Sequence, residues 1–329
     1  VILAGDIGGT KCNLAFYEQR EGALVENGRK RFPSHQYPHL EDVISQFVHS
    51  VAQPAGKRVT AAGFGVAGPV RDGVCVATNL PWKVDSHRLA ALLGLSRVSL
   101  VNDLEANAYG IPALVAKDFE MLQPGAPGAQ GPQAVISAGT GLGEAGLYWD
   151  GKMHHPISSE GGHGDLAARN ETEDALLVYL RKRFGSVSCE RVLSGPGLLN
   201  VYEFLRDTGR GSEEPWLREA MQKDDPSAVI SHAALEDRSP VCVQVLDMFI
   251  GLYGAEAGNL ALTMLATGGV FVGGGIAPKI LPKLRGPLFL EAFLSKGRLR
   301  PLLEQIPVRV ILNDDTALLG AARCAALGL

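Results

Sequence analysis

The stretch Val1-Ile2-Leu3-Ala4-Gly5-Asp6-Ile7-Gly8-Gly9-Thr10-Lys11-Cys12-Asn13-Leu14-Ala15-Phe16 decides how the rest of the chain is read. Val1 to Ala4 is a short apolar run, and Leu14 and Phe16 alternate with smaller or polar neighbours. That pattern predicts two strands joined by a glycine-rich turn. The turn carries a carboxylate (Asp6), adjacent glycines (Gly8, Gly9) and a hydroxyl (Thr10). Glycines admit positive φ and let backbone N–H groups approach an anion closely. A carboxylate beside such a turn suits a hydrated Mg2+ that accompanies a phosphate chain. The segment is not a Walker A loop, because Thr10 precedes Lys11 and a strand rather than a helix follows. Taken alone, it reads equally well as a hairpin whose glycines only serve the turn.

The rest of the chain adds weight to the first reading. Leu40, Val43, Ile44, Phe47, Val48 and Val51 recur at helical spacing. A strand is expected from Val59 to Val66, a turn over Gly68 to Gly73, and a return strand over Val74 to Ala77. Asp85 or Ser86 should cap a helix that runs through Leu93. The strand Val98 to Val101 ends in Asn102-Asp103-Leu104-Glu105, and chemistry in open α/β sheets gathers at strand carboxyl ends. Asn102 with Glu105 also has the spacing of a capping box, so Asn102 can cap while Asp103 faces a cleft.

After the Pro/Gly-rich loop Gln123 to Gln133, the opening pattern returns: Ala134-Val135-Ile136-Ser137-Ala138-Gly139-Thr140-Gly141-Leu142-Gly143, then apolar residues to Trp149. Two such hairpins suggest an internally duplicated α/β architecture with a cleft between the halves. Ser158 to Asp165 places Glu160, His163 and Asp165 in a glycine-rich loop, with His154 and His155 nearby. The spacing fits no common zinc pattern, whereas sugar hydroxyls use the same groups as hydrogen-bond partners. Glu190 precedes a Gly/Pro turn and an apolar helix from Leu198 to Leu205, and Asp207 to Pro226 reads as a charged surface excursion. A long helix is expected from Val241 to Leu265. The buried-type strand Val270 to Val272 runs into Gly273-Gly274-Gly275, where bare backbone would let a flat purine or ribose lie against the chain. Val308 to Leu312 is the last strand and Thr316 to Leu327 the closing helix.

Bulk properties narrow the classes. A chain of 329 residues with 46% hydrophobic residues can bury real cores and suggests two domains. A net charge of −4 gives no electrostatic case for nucleic acid or an anionic membrane. The five cysteines are scattered, odd in number and without C-x-x-C spacing, which points to reduced thiols in a cytoplasmic setting. No signal peptide is expected, since Asp6 arrives within the first turn, and the apolar stretch from Val241 to Gly275 is interrupted by Asp247 and Glu256.

Together, Gly5 to Thr10, Asn102-Asp103, Gly139 to Gly143, Glu160 to His163, Glu190 to Gly197 and Gly273 to Gly275 resemble the bacterial glucokinase family of the sugar kinase, actin and chaperone ATPase superfamily. The match runs the length of the chain in order. The cysteine-rich zinc motif of the neighbouring ROK branch has no counterpart after His163, which places the chain in the glucokinase branch and argues against zinc.

The resemblance implies a two-lobed actin-like ATPase (ribonuclease H-like) α/β fold with an interlobe cleft. The small lobe would span residues 1–113 plus 313–329 and the large lobe 114–312. It implies ATP-dependent phosphorylation of glucose at the 6-hydroxyl, the first step of glycolysis, with ATP and Mg2+ as cofactors, in a cytoplasmic homodimer. Asp103 would be the general base, and Asn79, Asn102, Asp103, Glu160, His163 and Glu190 would hold the sugar. Gly5, Asp6, Ile7, Gly8, Gly9 and Thr10 would hold ATP with Gly139, Thr140, Gly141, Gly273, Gly274 and Gly275, and Asp6 would hold Mg2+ through water. Lys11 varies among relatives and is left unassigned. The alternatives are a kinase for another hexose or a hexosamine, and a non-catalytic sugar sensor. Sensors on this fold carry an N-terminal helix-turn-helix, for which a chain opening on its first strand leaves no room.

Overall fold

The computed structural model describes residues 1–52, 56–77 and 80–329. Its contacts divide the chain into two compact units: Val1–Asp118 with His155–Ser158 and Asn313–Leu329, and Phe119–His154 with Ser159–Leu312.

The first unit is built on the opening hairpin. Strands Ile2–Ile7 and Lys11–Arg20 pair antiparallel, with Asp6 opposite Asn13 and Ile7 opposite Cys12. A third strand, Ala23–Pro33, extends the sheet on the far side of Lys11–Arg20. On the other side, Ala61–Val66 lies parallel to Ile2–Ile7, and Ser99–Asn102 lies parallel to Ala61–Val66. One face of this sheet buries Leu3, Ile7, Leu14, Phe16 and Phe64 against helix Leu40–Phe47. The other face buries Ile2, Ala4, Ala15 and Tyr17 against the closing helix Thr316–Leu327.

That second face depends on bare backbone. A Cβ on Gly63 would collide with the Ala321 carbonyl, one on Gly320 with the Ala106 carbonyl, and one on Gly110 with the Thr316 carbonyl. The closing helix therefore lies directly on the sheet and on helix Asp103–Gly110.

The second unit repeats the plan. Hairpin Gln133–Ala138 and Leu142–Trp149 is antiparallel, Gly269–Gly273 lies parallel to its first strand, and Val308–Ile311 lies parallel to Gly269–Gly273. Each sheet thus has a glycine-turn hairpin followed by two parallel strands in the same order. The predicted duplication is a property of the fold. Strand Phe119–Gln123 closes the far edge, antiparallel to Val308–Ile311.

The core of this unit centres on helix Pro240–Thr263, whose Val245, Phe249, Tyr253 and Leu260 are buried. Among the described residues this helix alone is long and apolar enough to cross a membrane, and 67% of its most apolar window is buried within the protein. It is a core helix.

The expected excursion from Asp207 to Pro226 is partly ordered. Pro215–Lys223 is a helix that buries Leu217, with the proline in its first turn, where a missing N–H costs nothing.

Replacing Gly320 by valine should destabilise the protein by about 1–3 kcal/mol through overpacking. Thermal melting checks this, and an unchanged midpoint would contradict the close helix approach.

Candidate active site

The predicted residues fall into two clusters, one in each unit. In the first unit the hairpin turn is tied together by its own backbone. Gly8 N–H donates to the Lys11 carbonyl at 3.0 Å, and Ser34 N–H donates to the Thr10 carbonyl at 3.1 Å. Ser34, wholly buried, also sends its hydroxyl to the Gly8 carbonyl at 2.8 Å. A serine from the end of the third strand therefore clamps the turn from behind. Nothing in its sequence surroundings marks it for that task.

Asp6 stands at the end of the first strand, and Asn13 Nδ2 donates to its Oδ2 at 3.0 Å. The Asn13 Oδ1 in turn accepts from Arg31 Nε at 2.9 Å, which fixes the amide orientation. Burial raises the Asp6 carboxyl above the usual carboxylate range, opposed by Asn13 and by the charge of Lys11.

Asp103 begins the helix that follows strand Ser99–Asn102. Asn102 caps that helix, its Oδ1 accepting from Leu104 N–H at 2.9 Å while its Nδ2 donates to the Gly68 carbonyl at 3.0 Å. The Asn102 N–H is in turn a hydrogen-bond partner of Glu105, the reciprocal contact of a capping box. The Asp103 carboxyl, at the first position of the helix, accepts from Leu104 N–H through Oδ1 at 2.9 Å and is a hydrogen-bond partner of the Asn102 side chain.

Gly65 lies between the two acids. It is paired with Asp6 on one side and Val101 on the other, and a Cβ there would come 2.7 Å from the Ala106 Cβ and 3.7 Å from the Asp103 Cα. Its missing side chain lets the Asp103 helix settle against the strand that carries Asp6.

Burial pushes Asp103 up to about 6, opposed by the Leu104 N–H and reinforced by the charge of Asp6. Two carboxylates in a poorly hydrated site fit a hydrated divalent cation by charge. A carboxyl with that pKa is largely ionised at neutral pH and is a better proton acceptor than an exposed aspartate.

In the second unit the Gly139 turn adjoins the Gly273 turn. A Cβ on Gly274, which has φ +84°, would collide with the Ala138 carbonyl, and Ile276 N–H donates to that carbonyl at 3.2 Å. Tyr253 joins the strand ends from beneath. Its hydroxyl accepts from Ala138 N–H at 3.2 Å and lies 3.2 Å from the Gly273 carbonyl. Gly195 N–H, at the start of helix Gly195–Asp207, donates to the Gly139 carbonyl at 2.8 Å. Bare backbone and a helix N-terminus converge here, a combination suited to phosphate.

Next to this turn lies the cluster of sugar-type residues. Glu190 Oε2 accepts from Leu142 N–H at 3.0 Å and lies 2.5 Å from where a Gly141 Cβ would stand. Its Oε1 is 3.9 Å from His163 Nδ1, and Glu160 Oε2 is 3.9 Å from His163 Nε2. His163 and Glu160 are exposed, at 59% and 72% of their side chains, while Glu190 is half-buried at 29%. Thr140 is exposed on the same turn. Asn79 lies outside the described residues.

His154 is engaged elsewhere, with Nε2 at 3.0 Å from the Gly131 carbonyl and its ring against Trp149. No group of three or more His, Cys, Asp or Glu able to hold a metal occurs among the described residues.

With the geometry in hand, comparison with known proteins is specific. The glucokinase family model matches residues 3–327. The chain belongs to the glucokinase family. It is 43% identical to a glucokinase of Nostoc punctiforme over 99% of both chains. Among solved structures it is similar to the glucokinase of an Antarctic psychrotroph, with a TM-score of 0.85, 31% identity and coverage of 99% and 98% of the two chains. A ROK-family glucokinase from Streptomyces griseus, solved with glucose and AMPPNP, shares the actin-like fold at a TM-score of 0.68 and 23% identity over 99% of both chains.

A raised folded-state pKa at Asp103 has two consequences. First, if Asp103 takes the proton of the sugar hydroxyl, kcat/KM for the sugar should fall on the acid side with an apparent pKa near 6. Second, stability contributed by the protonated carboxyl is present below its ordinary pKa of 3.8 and is lost as pH rises through about 6. Asp103→Asn should therefore melt no lower than the parent protein at pH 8, and a clear drop would contradict the burial argument.

Proposed function

We propose that this glucokinase-family enzyme transfers the γ-phosphoryl group of ATP to the 6-hydroxyl of glucose with Asp103 as the base. The observation that carries the assignment is the Asp103 carboxyl: at the start of a capped helix, poorly hydrated and raised to about 6. Family membership makes the chain an enzyme that phosphorylates glucose with ATP. What is proposed is the division of labour among its residues.

Phosphoryl transfer asks a protein for alignment and charge stabilisation more than for covalent chemistry. The backbone amides of Gly8, Gly9 and Thr10 and of Gly139, Thr140 and Gly141 would hold the phosphates, and the Gly273 to Gly275 turn would take the nucleoside. Gly5 and Ile7 support this from the strand. A Mg2+ carried on the phosphates would sit near Asp6 through water and supply positive charge to the transferring group. Asp103 orients the 6-hydroxyl and accepts its proton as attack proceeds. Asn79, Asn102, Glu160, His163 and Glu190 would bind the remaining hydroxyls. Polar groups matched to hydroxyls reject an analogue that lacks one, because a buried donor or acceptor would be left unpaired. The same reading makes the protein a homodimer and places it in the cytoplasm, and five buried free thiols suit a reducing compartment.

A coupled assay over glucose, mannose, fructose, glucosamine and N-acetylmannosamine tests the assignment. Glucose should turn over best. Asp103→Asn should abolish turnover while sugar affinity stays within about tenfold, roughly 1.4 kcal/mol. Parallel loss of binding and rate would contradict the role of Asp103, and turnover confined to another sugar would move the substrate.

A further inference from the structure

Beneath the loop that presents Glu160 and His163 lies an acid the reaction does not use. Glu144, on the second strand of the second hairpin, is 4% exposed. Its Oε2 lies directly under Gly161, so that a Cβ there would overlap the oxygen. Gly162 packs with equal closeness on the Leu142 carbonyl, and Ser159 Oγ accepts from Gly161 N–H at 2.9 Å. The loop then closes as a single tight turn, with His163 N–H donating to the Glu160 carbonyl at 3.0 Å and Gly164 N–H to the Gly161 carbonyl at 2.7 Å. No side chain separates this turn from the Glu144 carboxyl.

Glu144 Oε1 is buried without a hydrogen-bond donor. The Glu144 carboxyl interacts with the carboxyl of Glu256, from the long core helix. Two carboxylates cannot both stay ionised in such a place, and a single proton between them supplies the missing donor. Glu256 has hydrogen-bond partners of its own. Asn259 Nδ2 donates to Glu256 Oε2 at 2.9 Å, and Lys296 Nζ donates to Asn259 Oδ1 and, at 3.0 Å, to the Ala255 carbonyl. Cys189, the residue before Glu190, interacts with Glu256 as well and is kept a thiol by burial. Lys296, Arg169, Asn259, Glu256 and Cys189 line a cavity of about 60 Å3 on this side.

We propose that the Glu144–Glu256 pair, sharing one proton beneath Gly161, is a positioning device that fixes the turn presenting Glu160 and His163. It rests on the reading that those two residues bind the sugar. A neutral Glu144 donates to Glu256 and leaves its other oxygen packed against the loop backbone. An ionised Glu144 sets two like charges against each other below the loop. Burial, and next the charge of Glu256, push the Glu144 carboxyl up to about 7. Among the described residues, the other charged or titratable groups around the pair are Cys189, which also feels Asp165, and Lys296, which also feels Arg169.

Steady-state kinetics with glucose and ATP varied separately test this in Glu144→Ala, Glu144→Gln and Glu256→Gln. Glu144→Ala should raise the glucose KM about tenfold or more and leave kcat and the ATP KM within about threefold. Glu144→Gln, whose amide donates permanently to Glu256, should stay within about threefold of the parent on every parameter. In the parent protein the glucose KM should climb as pH rises from about 7 to 9, and both glutamine variants should flatten that climb. An unchanged glucose KM in folded Glu144→Ala, or a Glu144→Gln as impaired as the alanine variant, would overturn the proposal. If the alanine variant does not fold, a parent-like pH profile in both near-isosteric glutamine variants overturns it. Glu160→Gln run alongside separates the two readings, because an unchanged glucose KM there would fail the sugar-loop assignment itself.

Discussion

Two carboxylates held near each other with little water, Asp6 and Asp103, constrain the whole of the first unit. Each is pushed above its ordinary pKa mainly by burial, and the charge on Asp6 adds to the cost of ionising Asp103. The fold offsets that cost locally with the Asn13 amide, the Leu104 N–H and the charge of Lys11. Full compensation would make both acids inert anions, and the residual imbalance leaves the site receptive to a cation and a proton. Arg31 holds Asn13, which in turn holds Asp6, and Ser34 holds the glycine turn.

Glycine is the second recurring device. Gly65 lets the Asp103 helix approach its strand, and Gly63, Gly110 and Gly320 let the closing helix lie on the sheet and on that helix. In the second unit Gly274 brings the two nucleotide-type turns together, while Gly161 and Gly162 seat the polar loop on the hairpin. At these contacts bare backbone meets backbone, the Ala106 methyl or the Glu144 carboxyl, so small side-chain additions would displace the elements they join.

Much of this was legible in the chain. The alternation around Asp6, its return around Gly139 and the capping pattern at Asn102 are local signals, and local signals survive in a single sequence. Strand Ala23–Pro33 was not anticipated because its middle is Glu26, Asn27, Gly28, Arg29, Lys30 and Arg31, which alternates without an apolar face. Edge strand Phe119–Gln123 is too short and too little buried to stand out. Helix Pro215–Lys223 is hidden by charge and buries only Leu217. Ser34, Tyr253 and the Glu144–Glu256 pair act through contacts between residues far apart in the chain. No local pattern encodes such meetings. Asn102, by contrast, shows its capping task within four residues, through Leu104 N–H and Glu105.

The central claim is that Asp103 takes the proton of the sugar's 6-hydroxyl while the glycine turns hold the phosphates. A crystal structure of the protein with glucose and a non-hydrolysable ATP analogue tests it most directly. The account predicts the 6-hydroxyl oxygen at about 2.6–3.2 Å from an Asp103 oxygen, in line with the terminal phosphate. It also predicts the other hydroxyls on Glu160, His163 and Glu190. A sugar bound with its 6-hydroxyl turned away from Asp103, or phosphates seated away from the Gly8 and Gly139 turns, would contradict it.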